Sequence, residues 1–265
     1  MCIRDSLKTL LTCKHGAWYA CIIHLLIYLK CQKSKRPQIN SCLLYTSMDI
    51  FGELWQDHAL RLEQAWRETV SQEDTVIVCG DISWGLRLQE AESDFKWIRN
   101  LPGRKVIFKG NHDLWWQSAG KLNRLYGDEN MVFVQNKCHV VQADGIKVAI
   151  CGSRGWICPG EADFTAEDRK IYDREIGRLR LSLDEGKASG ARKIIGVLHF
   201  PPTNDKLQES GFTELLSRYG VATCVYGHLH GKEAFKKGMK GIFNGVRYEL
   251  VSLDYLNACP KEVIL

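Results

Sequence analysis

No two cysteines in this chain stand at C-x-x-C spacing, no apolar run reaches the ~20 residues of a membrane-spanning helix, and no internal repeat or low-complexity tract follows Met48. The eleven cysteines are odd in number and scattered, and Cys79, Cys151 and Cys224 lie inside apolar runs. That pattern counts against a disulfide framework and for buried thiols in a reducing cytoplasm. The longest apolar stretch, Trp18 to Leu29, is interrupted by His24 and followed by Lys30, Lys33, Lys35 and Arg36. It is too short to span a bilayer and lacks the small-residue site that ends a secretory signal, so no membrane partner is expected. A basic cluster with interleaved aromatics is also missing once the first 47 residues are set aside. Nucleic acid is therefore expected only as a candidate substrate.

The chain carries a net charge of +5, and that charge is unevenly placed. Residues 1–47 contain Arg4, Lys8, Lys14, Lys30, Lys33, Lys35 and Arg36 against Asp5, a balance of +6, so the remainder is close to neutral. Five cysteines (Cys2, Cys13, Cys21, Cys31, Cys42) crowd into the same head. Its segments MCIRDS and CLLYTS resemble translated sequencing-adapter peptides, and regular patterning begins only at Met48. Residues 1–47 are accordingly expected to be a non-native head, the alternative being a genuine variable extension, and residues 48–265 a single domain.

From Met48 the pattern alternates between two periods. Trp55 to Val70 reads as an amphipathic helix, and Thr75 to Cys79 as a buried strand running into Gly80-Asp81. A helix at Ser93 to Asn100 precedes a second strand, Lys105 to Phe108, which runs into Gly110-Asn111-His112-Asp113. Three short strands follow, at Met131 to Val134, Cys138 to Gln142 and Lys147 to Cys151, the last two joined by Ala143-Asp144-Gly145. Asp163 to Leu183 reads as a charged helix with Ile171, Ile176, Leu179 and Leu183 on its buried face. The strand Lys193 to Leu198 ends at His199-Phe200-Pro201-Pro202. After a helix near Phe212 to Tyr219, the strand Ala222 to Tyr226 ends at Gly227-His228-Leu229-His230. Strand-like segments from Phe243 to Leu253 close the domain.

Four buried strands thus end in metal-capable side chains. In open α/β sheets ligands gather beyond the carboxyl ends of strands, so these endings can share one site. Singly, each has a plainer explanation: a Gly-Asp turn, an Asn or Asp helix cap, a packed histidine. Their ordered occurrence is far more specific. Two divalent ions about 4 Å apart polarise a phosphoryl group and activate water, and they need a carboxylate shared between them with neutral imidazole and amide ligands around it.

The series resembles the calcineurin-like metallophosphoesterase superfamily over roughly Met48 to Leu253. The resemblance implies a four-layer α-β-β-α sandwich, two mixed β-sheets face to face with helices outside, and a metal-dependent phosphoester hydrolase with two divalent ions (Mn, Fe or Zn). Asp81 would bridge the ions, Asn111, His199 and His228 would complete one shell, and His230 would bind the other ion. His112 would contact phosphate and protonate the leaving oxygen, with Asp113 orienting its ring. The family pattern opens with an Asp-x-His on the first strand, and no such pair stands upstream of Met48 to Trp55, a stretch that resembles the one following this motif in some bacterial members. With Asp81 and His230 alone, the second ion has too few ligands, and hydrolysis by this chain is expected to be impaired. The competing reading is an inactive phosphoesterase-fold scaffold. Around the site, Trp84, Trp115, Trp116 and Trp156 are expected to wall a substrate cleft, with Arg154 holding a phosphate oxygen.

Overall fold

The computed structural model describes residues 26–29 and 53–263. The early segments at residues 18–20 and 42–47, and His24, lie outside the described residues. Strand β1 (Leu26–Leu29) is followed by a 3-10 turn at Glu53–Trp55, helix α1 (His58–Thr69), β2 (Thr75–Val78), α2 (Glu92–Arg99), β3 (Arg104–Ile107), α3 (Ala119–Tyr126) and β4 (Met131–Phe133). The second half contains β5 (Cys138–Ala143), β6 (Ile146–Ser153), α4 (Ala166–Ala188), β7 (Lys193–Leu198), α5 (Gly211–Arg218) and β8 (Thr223–Tyr226). It ends with α6 (Lys232–Lys236), β9 (Gly241–Phe243), β10 (Val246–Leu250) and β11 (Lys261–Glu262).

Two mixed sheets result, ordered β11-β1-β2-β3-β4 and β5-β6-β7-β8-β10-β9. Strands β2, β3 and β4 are parallel, as are β6, β7, β8 and β10. Period-2 alternation explains why the second sheet is covered on both faces. Val148, Ile150, Ile195, Val197 and Val225 face the core shared with the first sheet, whereas Ala149, Cys151, Ile194, Leu198, Cys224 and Tyr226 face the core under α4 and α5. The first sheet buries Val76, Ile77 and Val78 together with Leu62 and Trp66 of α1 and Phe95 and Ile98 of α2. The order of layers is helix, sheet, sheet, helix, the α-β-β-α sandwich expected from the sequence.

Local signals set the helix ends. Thr165 and Asp168 form a capping box at the start of α4, and Ser210 with Thr213 does the same for α5, each supplying partners to amides a helix start leaves open. The buried face of α4 differs from the one expected: Tyr172, Glu175, Ser182 and Gly186 join Leu179 and Leu183, while Ile171 and Ile176 are half-buried. Near the C-terminal half of that helix, close approach to β6 rather than apolar bulk governs the packing. A Cβ at Gly186 would stand 2.3 Å from Cys151 Sγ.

Residues 26–29, within the segment expected to be non-native, form a strand beside β2. β1 is antiparallel to β2, with Leu26 opposite Val78 and Leu29 opposite Thr75. It therefore runs away from the edge at which β2 and β3 end. Among the described residues, no helix is long and apolar enough to cross a membrane.

Asp94 on α2 is 1% exposed, and burial pushes its carboxyl up to about 6, with the nearby Ser83 hydroxyl lowering it in part. The folded chain therefore keeps a proton on Asp94 that the unfolded chain has already lost, so stability falls as pH rises from about 4 through about 6. Asp94→Asn is expected to leave stability unchanged below pH 4 and to raise it by about 2 kcal/mol at pH 8. Thermal denaturation in chelator across that range measures the difference. Parallel wild-type and variant curves would contradict the assignment.

Candidate metal centre

The carboxyl ends of β2, β3, β7 and β8 deliver Asp81, Asn111, His199 and His228 to one place. The loops after β2 and β3 meet backbone to backbone. Gly80 has φ of +101°, and a Cβ there would lie 2.3 Å from Gly110 N. Asp113, fully buried, joins the same two loops: the main-chain N–H groups of Gly110, Asp81 and Ile82 donate to its carboxylate at 2.7, 2.8 and 2.9 Å. Burial, and then the neighbouring Asp81 charge, push the Asp113 carboxyl up, while the three amides oppose that rise. Asp81 Oδ1 in turn accepts from the His112 main-chain N–H at 2.8 Å. Asp81 and His228 hold left-handed φ angles of 53° and 68°, a conformation costly for residues with a Cβ and found disproportionately at functional sites.

His199 is the hub. Its Nδ1 lies 2.9 Å from the Cys79 carbonyl oxygen. A carbonyl only accepts, so Nδ1 carries the proton, and complete burial lowers the ring's pKa despite the opposing charge of Asp81. In the neutral ring Nε2 then presents a lone pair. It faces Asn111 Oδ1 at 2.6 Å and Asp81 Oδ2 at 3.3 Å, while His228 Nδ1 stands 3.3 Å from Nε2 and 3.1 Å from Asn111 Oδ1. Electron-rich atoms converging at these distances suit a shared divalent cation, which takes imidazole nitrogen together with carboxylate and amide oxygen. Among the described residues, no group of three or more His, Cys, Asp or Glu side chains is arranged to hold a metal ion. The donor set that fits one here depends on an amide, Asn111.

The remaining predicted residues are placed differently. His230 Nδ1 pairs with Asp254 Oδ1 at 2.8 Å, and its ring lies 5.1 Å from that of Trp55. Asp254, just past β10, also accepts from the Gly231 N–H at 2.8 Å. Sequence reasoning missed Asp254; the available signal was an acid shortly beyond a strand parallel to β8. His112 is half-buried with its ring tilted against Trp84 at 4.9 Å. Asp113 does not orient that ring as expected, because its two oxygens are committed to three main-chain amides. Trp115 is likewise corrected. It is 1% exposed, packs against Phe95, Phe133 and Trp116, and donates to Ser83 O, so it belongs to the core and not to a cleft wall. Arg154 is half-buried, 3.5 Å from Glu175 Oε1 and 4.5 Å over the Trp156 ring. Its carbonyl accepts from both the His199 and Phe200 N–H groups at 3.0 Å.

A family model described as calcineurin-like phosphoesterase matches residues 47–232. Among curated proteins, Gene 66 protein of Mycobacterium phage D29 is 28% identical over 179 residues, which cover 66% of this chain and 67% of the relative. Gene 66 protein of Mycobacterium phage L5 is 34% identical over 139 residues, covering 50% of this chain and 61% of the relative. Among solved structures, the protein of unknown function AQ665 from Aquifex aeolicus aligns with a TM-score of 0.43 at 13% identity, covering 81% of this chain and 86% of that one. TT1561 of Thermus thermophilus aligns at 0.43 and 14% identity, covering 66% and 78%.

Proposed function

Since the chain belongs to the calcineurin-like phosphoesterase family, we propose that it is a cytoplasmic phosphoester hydrolase with a dinuclear centre of divalent ions, manganese, iron or zinc. The observation that carries this reading is the convergence of Asp81, Asn111 and His228 on the lone pair of His199 Nε2. Those four residues would hold one ion, and Asp81 with His230 would contribute to a second. When bound, the ions polarise the phosphoryl group and lower the pKa of water.

The chain's own residues prepare that chemistry. The Cys79 carbonyl locks the His199 tautomer, and Asp254 does the same service for His230 by engaging Nδ1, the carboxylate–histidine pairing common around metal sites. Asp113 holds the two loops so that Asp81 and Asn111 keep their spacing. His112, at the half-buried mouth and steadied by Trp84, is the residue positioned to touch phosphate and hand a proton to the leaving oxygen. A phosphoester, nucleic acid included, is the substrate class this arrangement supports. The buried thiols Cys79, Cys151, Cys158 and Cys224 support a reducing compartment.

The test is hydrolysis of aryl phosphomonoesters and diesters by the purified chain with added manganese or zinc. Turnover by this chain is expected to be weak and metal-dependent, because Asp81 and His230 are the ligands left to the second ion, and to rise when a strand carrying Asp-x-His is restored upstream. Turnover that ignores chelator, or none from either protein with either metal, would overturn the reading and favour a scaffold. His112→Asn is expected to lower kcat by roughly 10²–10⁴-fold while metal content is retained. Loss of metal from that variant would instead make His112 a ligand.

A further inference from the structure

Next to the centre, the loops after β3, β4 and β6 and the middle of α4 surround a small recess that opens to solvent. Its polar lining includes Lys109, Gln135, Asn136, Arg154, Glu175 and Arg178. Three cations face one carboxylate. Glu175 is wholly buried, and its Oε1 accepts from Arg178 Nη1 at 2.7 Å while lying 3.5 Å from Arg154 Nη2. The two guanidinium groups thus share one oxygen of a single acid, and the Trp156 face holds Arg154 from another side. Arg154 and Arg178 retain 17% and 31% side-chain exposure, enough to reach a ligand while remaining fixed.

Burying like charges together costs energy unless anions offset them: Glu175 pairs with both arginines, while Asp113 and Asp81, the latter a residue of the metal centre, attract Lys109 and Arg154. Guanidinium forks match phosphate oxygens, and a lysine adds a compact point charge. Gln135 adds a donor: its Oε1 accepts from Trp116 Nε1 at 3.3 Å, leaving the amide NH₂ as its donor face. The recess also shares its floor with the centre. Lys109 immediately precedes Gly110-Asn111, and the Arg154 carbonyl is the acceptor for the His199 N–H.

We infer that this recess is a phosphate subsite for the non-reacting phosphoryl group of a substrate that carries two. This rests on the hydrolase reading for the second phosphoryl group, but the recess binds phosphate whether or not metal is present. Lys109, Arg154 and Arg178 hold one phosphoryl group there, while the other reaches the centre.

The experiment is calorimetric titration of the chelator-treated chain with inorganic phosphate, then with metal restored, kcat/KM for an alkane bisphosphate against the matching monophosphate. Lys109→Gln and Arg178→Gln are each expected to weaken phosphate binding about tenfold. They should also lower the bisphosphate preference through KM by a similar factor. Lys109→Gln leaves both partners of Glu175 in place, which guards against loss of fold. Arg180→Gln, on the exposed face of the same helix, serves as control and should bind as wild type. Absent phosphate binding, or binding equal in all four proteins, overturns the subsite. Binding that responds to Lys109 and Arg178 in a chain that hydrolyses no phosphoester supports the subsite and overturns the hydrolase reading alone.

Discussion

Asp81→Asn is expected to abolish metal-dependent hydrolysis while leaving a folded protein. Asp81 is wholly buried between the loop after β3 and His199, and its Oδ2 is one of the atoms facing His199 Nε2. Asparagine keeps an oxygen for the His112 N–H but replaces the charge that offsets a dication. Loss of an outer partner of a metal ligand costs roughly 10–100-fold, so loss of the shared carboxylate should cost about 10³-fold or more in kcat/KM. Metal content should fall with it, and the metal-induced rise in Tm, which follows from binding to the folded state alone, should vanish. In chelator the variant should unfold no earlier than wild type, because removing the charge relieves its repulsion of Asp113. A variant that keeps its metal and its turnover would remove Asp81 from the centre.

Gly110→Ala is expected to be strongly destabilising: among the described glycines, Gly110 is the one whose added Cβ would come closest to another atom. A Cβ there would fall 1.9 Å from Asp81 Oδ1 and 2.4 Å from Asp81 N. Neither atom can yield. The carboxylate is engaged by His112 N–H, and the amide donates to Asp113. The two loops must separate, breaking the Asp113 hydrogen bonds that hold them, and a destabilisation of about 3 kcal/mol or more follows from overpacking and buried polar loss together. Denaturant unfolding in chelator reads this without reference to activity. A change under about 1 kcal/mol would mean the loops are not in backbone contact.

Much of this site was readable because buried strands announce themselves. Thr75 to Val78, Arg104 to Ile107, Lys193 to Leu198 and Thr223 to Tyr226 are buried along most of their length, and the motif residues follow each within four positions. What the sequence hid was hidden for physical reasons. Helix α3 offers only Leu122 and Leu125 among polar residues, and only Leu122 is buried, too thin a stripe to recognise. Asp254 belongs to no motif, and its pairing with His230 exists only because β10 lies parallel to β8. The roles of Asp113 and Trp115 depended on direction rather than spacing. A carboxylate beside a histidine can turn to the ring or to the backbone, and here three inward N–H groups captured it. A tryptophan after a strand can line a cleft or cap the core, and the ring cluster around Phe133 took Trp115 inward. Spacing also said nothing about Lys109, Glu175 and Arg178, which come together only because α4 crosses the loops that follow β3 and β6.

The most direct test of the central claim is an anomalous-scattering map from crystals of the chain soaked in manganese. A peak bounded by Asp81 Oδ2, Asn111 Oδ1, His199 Nε2 and His228 Nδ1 is expected. Manganese bound elsewhere, with those four side chains still hydrogen-bonded to one another, would contradict it.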